Sequence, residues 1–279
     1  MAEGEGFEPP VTYRPLRFSR PLPSSTRPSL QRCREYTTAP IKCQSRADCR
    51  RVPGRVCDMR RLASLWKRIL ASGFCLLYGR FARSYDAVAR IVSLGQWHLW
   101  SETGLDYVVG HTVLEVGHGP GHLLPELHRR GYRAIGLDPS PQMGVLARNR
   151  LRARGMQLPV IRGRAQHLPF LSSSFDTVIA TFPTDFIFDP LTLSEVARVL
   201  APGGSLVAVL SAVLVRSDPI SRIIEWAYRI TGQREPRSQT QIAPAFLRAG
   251  LIASQLEVEK QKSHVTVLVA RHLTPNDRI

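Results

Sequence analysis

From residue 112 onward, the apolar positions come in short unbroken runs, separated by longer stretches in which they recur every three or four residues. Runs at about 112–117, 133–138, 158–162, 175–181 and 204–210 predict buried strands, and the stretches at about 121–130, 141–153 and 190–200 predict helices. Strands that alternate with helices in this way imply an α/β fold with a doubly wound, mainly parallel sheet. Local punctuation agrees. Asp138-Pro139-Ser140-Pro141 offers a cap and a first-turn proline, and Pro202-Gly203-Gly204 is expected to end the helix before the fifth strand.

Two further stretches have helical spacing. Leu62, Leu65, Trp66, Ile69, Phe74 and Phe81 outline an amphipathic helix, too short and too interrupted by charge to cross a bilayer. It either packs on the domain or lies in a membrane interface. There, each of Arg60, Arg61, Arg80 and Arg83 could gain about 1 kcal/mol beside an anionic surface. Ile220, Ile223, Ile224, Trp226 and Ile230 outline a second helix, expected to cap a pocket within the segment 211–243.

Residues 1–58 have neither period. They are rich in Pro, Arg and Ser, and are expected to be a disordered basic segment that packs no core. Such a segment reads as an interaction arm, or as a mis-called start. Gly6-Phe7-Glu8-Pro9 can be encoded by a string resembling the T-arm of a transfer RNA gene, which would put true initiation at Met59. The expected organisation is then 1–58, a helical substrate- or membrane-facing segment over 59–104, and the main domain over 105–272.

Composition narrows this only a little. A net charge of +16 over 279 residues favours an anionic partner, either an acidic membrane surface or nucleic acid, or reflects the host's use of arginine. Five cysteines with no C-x-x-C pair build neither a disulfide framework nor a zinc site, and no metal is expected. A reducing cytoplasm is the expected location, with peripheral contact at the inner membrane face the one extension.

The chemistry is concentrated in Thr112-Val113-Leu114-Glu115-Val116-Gly117-His118-Gly119-Pro120-Gly121-His122. A buried strand runs into a turn whose glycines let the backbone approach a ligand. Asp138 ends the next strand, 17 positions beyond Gly121, where a βαβ unit places a carboxylate beside a ribose. The ligand expected here is a nucleoside. A dinucleotide fingerprint would need G-x-G-x-x-G, and Glu115 would repel its pyrophosphate while attracting an ammonium.

This E-x-G-x-G-x-G pattern resembles motif I of the class I S-adenosylmethionine (SAM) methyltransferases. Gly163-Arg164-Ala165-Gln166-His167-Leu168-Pro169-Phe170, Ser174-Phe175-Asp176-Thr177-Val178 and Arg198-Val199-Leu200-Ala201-Pro202-Gly203-Gly204 resemble later motifs of that family, in order. The resemblance implies a Rossmann-like sheet of seven strands, closed by a hairpin at about 252–259 and 263–270 with the last strand antiparallel. It also implies SAM as cofactor, held by Glu115, Gly117, Gly119, Gly121, Asp138, Pro139, Ala165 and Gln166. One departure stands out: Arg164 occupies the place of an Asp that hydrogen-bonds the adenine amino group. Adenine recognition would then rest on the backbone of Ala165 and on apolar packing.

Tyr85-Asp86, Ser93, Gly95 and Trp100 resemble the N-terminal signature of the ubiquinone/menaquinone C-methyltransferases, with Val88, Ala89 and His98 replacing Met, Asn and Arg. The implied activity is methyl transfer to a small hydrophobic acceptor, a quinone-type ring or a lipid. Tyr85, Trp100 and Trp226 are the candidate substrate contacts, while Trp97 reads as a packing aromatic. His98, His118 and His122 are weak candidates for a base, since a sulfonium donor needs none for many acceptors. His118 matters more for its backbone, and His122 is placed to cap a helix. Nucleic acid is disfavoured, because Thr181-Phe182-Pro183-Thr184 replaces the N/D-P-P-Y motif of amino-methylating enzymes. The reading from a different class is a SAM-binding interaction module without catalysis, raised by Arg164.

Overall fold

The computed structural model describes residues 85–214, 238–261 and 263–272, with the side chains of Tyr85, Val88, Val92 and Gln239 excepted. The expectations for residues 1–58, for the 62–81 helix and for Trp226 lie outside the described residues. The chain enters through helices α1 (Tyr85–Val92) and α2 (Trp97–Glu102) and a 3₁₀ turn, Thr103–Tyr107. Then follow β1 (Thr112–Val116), α3 (Leu124–Arg129), β2 (Arg133–Asp138), α4 (Pro141–Ala153), β3 (Val160–Arg162) and β4 (Phe175–Thr181). A second 3₁₀ turn (Asp185–Phe188), α5 (Pro190–Val199), β5 (Leu200–Leu214), α6 (Gln239–Arg248), β6 (Leu251–Lys260) and β7 (Ser263–His272) complete it.

The seven strands form one sheet in the order β3-β2-β1-β4-β5-β7-β6, with β7 antiparallel to both of its neighbours. This is the Rossmann-like methyltransferase arrangement. The chain winds outward from β1 to β3 and then returns to the other side of β1 with β4, so the switch in strand order lies between β1 and β4. A ligand of such a sheet binds beyond the carboxyl ends of the strands at that switch, which is where the glycine turn begins.

Alternation along the strands supplies a core on each face. Leu114 and Val116 of β1 join Leu193, Val196, Ile242 and Phe246 from α5 and α6 on one face. Val113 joins Trp100, Leu105, Leu124 and Leu127 on the other. Asp176 fixes the start of β1: its Oδ2 accepts from the N–H groups of His111 and Thr112 (2.8 and 2.9 Å) and from the Thr112 hydroxyl (2.8 Å).

Three boundaries differ from the pattern reading. Helix α5 ends at Val199, so Pro202-Gly203-Gly204 does not close it. These residues instead sit in a bulge of β5, between the Phe175–Leu200 and Thr177–Ser205 pairs. Strand β5 runs on to Leu214 because β7 pairs with it as far as Ser263, so the segment after β5 starts at 215 rather than 211. Residues 239–243 open α6, whose start is fixed by a capping box between Ser238 and Gln241. Among the described residues, no helix is long and apolar enough to cross a membrane.

Candidate active site

The three glycines of the turn after β1 have positive φ, but each faces a different neighbour. A Cβ on Gly121 would lie 2.7 Å from the Cβ of Ala147, so this glycine lets the turn pack against α4. A Cβ on Gly117 would touch the Phe186 ring at 3.3 Å. Among the described residues other than its chain neighbours, none lies within 4 Å of a Cβ built on Gly119, which leaves room there for a ligand beside the backbone.

Two buried carboxylates flank that opening. Asp138, at the end of β2, accepts from the N–H of Gly119 (2.9 Å) and from the N–H of Ser140 (2.7 Å). Burial raises its pKa, opposed by nearby His118 and by these two N–H donors. Glu115, on β1, is 1% exposed, and its Oε2 has no hydrogen-bond partner among the described residues. Burial first, and the Asp138 charge second, push its pKa well above the ordinary glutamate range. A buried carboxyl group with an unmet acceptor fits a cationic ligand, and the second carboxylate at a strand end fits a pair of hydroxyls. This donor set therefore matches the ammonium and ribose of SAM.

His118 is buried beneath the turn. Its Nδ1–H donates to the Gly119 carbonyl (2.6 Å), its Nε2 has no partner among the described residues, and burial lowers its pKa. The ring lies against Gly136 of β2, where a Cβ would come within 2.9 Å of its Cδ2. His122 does not cap α3; its Nε2 donates to Asp86 Oδ1 (2.8 Å), and its ring meets His98 edge-on at 4.8 Å. Burial and Arg150 lower the His122 pKa against the pull of Asp86.

Around the expected adenine pocket, Ala165 is buried, and Gln166 donates to Asp189 Oδ2 (3.0 Å). Pro139 is exposed, and its carbonyl accepts from Arg162 (3.3 Å). Arg164 is exposed and forms an isolated β-bridge with His167.

A group of aromatic rings lies beyond the end of β4. Trp97 packs on Phe182 with ring centroids 4.3 Å apart, and the buried Trp100 meets the same ring at 6.4 Å. Phe182 directly follows β4 and has φ +47°, uncommon for a bulky residue; its N–H donates to the Val209 carbonyl (2.8 Å). Ser93 Oγ accepts from the Trp97 N–H (3.0 Å), so the Ser93 of the N-terminal signature places this tryptophan. The reading of Trp97 as a packing aromatic agrees with its place against the core around Trp100 and Leu105, whereas Phe182 and Phe186 were not singled out from the sequence. The Thr181-Phe182-Pro183-Thr184 position, just past β4, was the available signal.

A family model described as a methyltransferase domain matches residues 113–204. A demethylmenaquinone methyltransferase of Thermus thermophilus is 31% identical over 164 residues, which cover 57% of this chain and 72% of that protein. A demethylmenaquinone methyltransferase of Thermobifida fusca is 31% identical over 159 residues, covering 55% of this chain and 67% of that protein. A solved SAM-dependent methyltransferase of Thermotoga maritima, a possible histamine N-methyltransferase, is 21% identical with a TM-score of 0.49, covering 69% of this chain and 96% of that one. At this identity and coverage the first relative establishes kinship: the chain belongs to the class I SAM-dependent methyltransferases, enzymes that take their methyl group from SAM.

Proposed function

We propose that this methyltransferase acts on a small hydrophobic acceptor, a quinone-type ring carbon first and a lipid second. The observation that carries the reading is the Trp97–Phe182–Trp100 group beyond the end of β4, an apolar aromatic wall suited to a flat ring. The two relatives described as demethylmenaquinone methyltransferases support the same acceptor class.

In this reading, Asp138 accepts from the ribose hydroxyls, Glu115 faces the methionine ammonium, and the Gly119 backbone borders the ligand. Gly117 and Gly121 shape the turn, while Pro139, Ala165 and Gln166 border the base. SAM, when bound, supplies an electrophilic methyl on an already activated sulfur. The protein's part is to hold donor and acceptor in line and to exclude water, which can contribute several kcal/mol. In this reading His122, with His98 beside it, is the candidate to take a proton from a ring acceptor.

The test is transfer from methyl-labelled SAM to reduced demethylmenaquinone and, separately, to a lipid extract. Label in the quinone supports the first reading; label in the lipid alone selects the second. Deletion of the gene should leave a demethylated quinone in the host, and a normal quinone pool would remove the quinone. Trp97→Ala should raise the acceptor KM severalfold and leave SAM binding unchanged.

A further inference from the structure

Asp86 lies on α1, outside the sheet, yet both of its carboxylate oxygens are taken by the cosubstrate side of the molecule. Oδ1 accepts from His122, the residue that leaves the glycine turn (2.8 Å), and Oδ2 accepts from Arg150 of α4. Arg150 also donates, through its other terminal nitrogen, to the carbonyl of Pro120, inside the turn itself. One carboxylate thus ties together α1, the turn and α4. The side chains of His122 and Arg150 are 15% and 19% exposed, while that of Asp86 is 48% exposed, so the two contacts are covered on the side of the turn and open to solvent on the side of α1.

We propose that Asp86 is a positioning residue for the SAM site, acting through His122 and Arg150 to hold the glycine turn in its ligand-ready shape. The inference rests on the placement of SAM at that turn. Because the same contacts hold α1, the docking of α1 and the binding of cosubstrate are coupled, and by linkage each strengthens the other. The N-terminal segment then reports the state of the cosubstrate site directly.

The experiment uses the full chain and S-adenosylhomocysteine as probe, with binding followed by calorimetry and α1 by hydrogen exchange. In the native protein the probe should slow exchange of the α1 amides. Asp86→Ala should weaken binding about five- to tenfold and abolish that slowing, and Asp86→Glu should restore part of both. Arg150→Met should give a similar loss, and the double variant should be little worse than either single one, as expected of groups in one network. Asp138→Ala serves as the reference. If it loses affinity while Asp86→Ala binds normally, or if the Asp86 and Arg150 losses simply add, the positioning role is overturned. If Asp138→Ala binds normally, the site placement falls and takes this proposal with it.

Discussion

The N–H of Gly119 donates to Oδ2 of Asp138 across 2.9 Å, so the turn after β1 is held by the carboxylate at the end of β2. In the proposed reading, ligand site and loop support are one group. Asp138→Ala should therefore weaken SAM binding at least tenfold, since a hydrogen bond to a charged group is worth about 1.5–3 kcal/mol. Calorimetry checks this, and the sheet should remain intact by circular dichroism.

Gly119 and Gly121 should fail in different ways when substituted. Gly119→Val introduces a side chain into open space at φ +53°, and should block the ligand more than it harms the fold. Gly121→Ala forces a Cβ to within 2.7 Å of Ala147, and should lower stability by about 1–3 kcal/mol. Parallel binding and denaturant titrations separate the two outcomes.

Glu115 predicts proton release on cosubstrate binding. Burial keeps its carboxyl protonated well above the usual range, and a cationic ligand favours the ionised form. Affinity should consequently rise with pH until the raised carboxyl of the free protein itself ionises, and level off beyond that point. Calorimetry in buffers of different ionisation enthalpy would detect the proton. Stability of the ligand-free chain has the opposite sense: the contribution of a raised carboxyl is present below its unfolded pKa and is lost as pH rises through the folded one. Glu115→Gln should remove both trends.

Asp176 predicts an acid-side loss. Burial opposes its ionisation, but hydrogen bonds from the Thr112 and His111 N–H groups and the Thr112 hydroxyl hold its pKa below the ordinary aspartate value. Its contribution is present above the unfolded pKa and disappears as pH falls through the lower folded one. Asp176→Ala should cost about 1.5–3 kcal/mol at neutral pH, measured by urea denaturation, with SAM binding retained in the folded fraction.

Arg164→Asp would restore the carboxylate that the family places near the adenine amino group. Affinity for SAM should rise about fivefold, the equivalent of one ordinary hydrogen bond. Unchanged or weaker binding would show that the base is held by the backbone and apolar contacts alone.

The sheet was legible because β1, β2 and β4 are short, mostly apolar runs closed by glycine, aspartate or proline, and Glu115 and Asp138 stood out as acids near their ends. Helix α6 was not, since Pro244 interrupts its interior and its apolar face is short. The extension of β5 to Leu214 depends on pairing with β7 about fifty residues later, which no local pattern carries. The Asp86–His122 pair spans 36 positions between polar residues of no periodicity. Conversely, the later motifs that pointed to the family are partly scaffold: Arg198 donates to the carbonyls of Leu168 and Phe170, binding two of those motifs to each other.

The contact of His118 with Gly136 turns two separate positions into a single unit of volume. The imidazole occupies the space that a side chain on β2 would need, with Leu124 pressing on the same spot at 2.9 Å. Shrinking residue 118 would leave a hollow under the turn, and enlarging residue 136 would lift the turn off the sheet. Divergent sequences of this shape should therefore exchange the two positions together. A variant library that randomises the turn while leaving β2 fixed would sample mostly loosened loops.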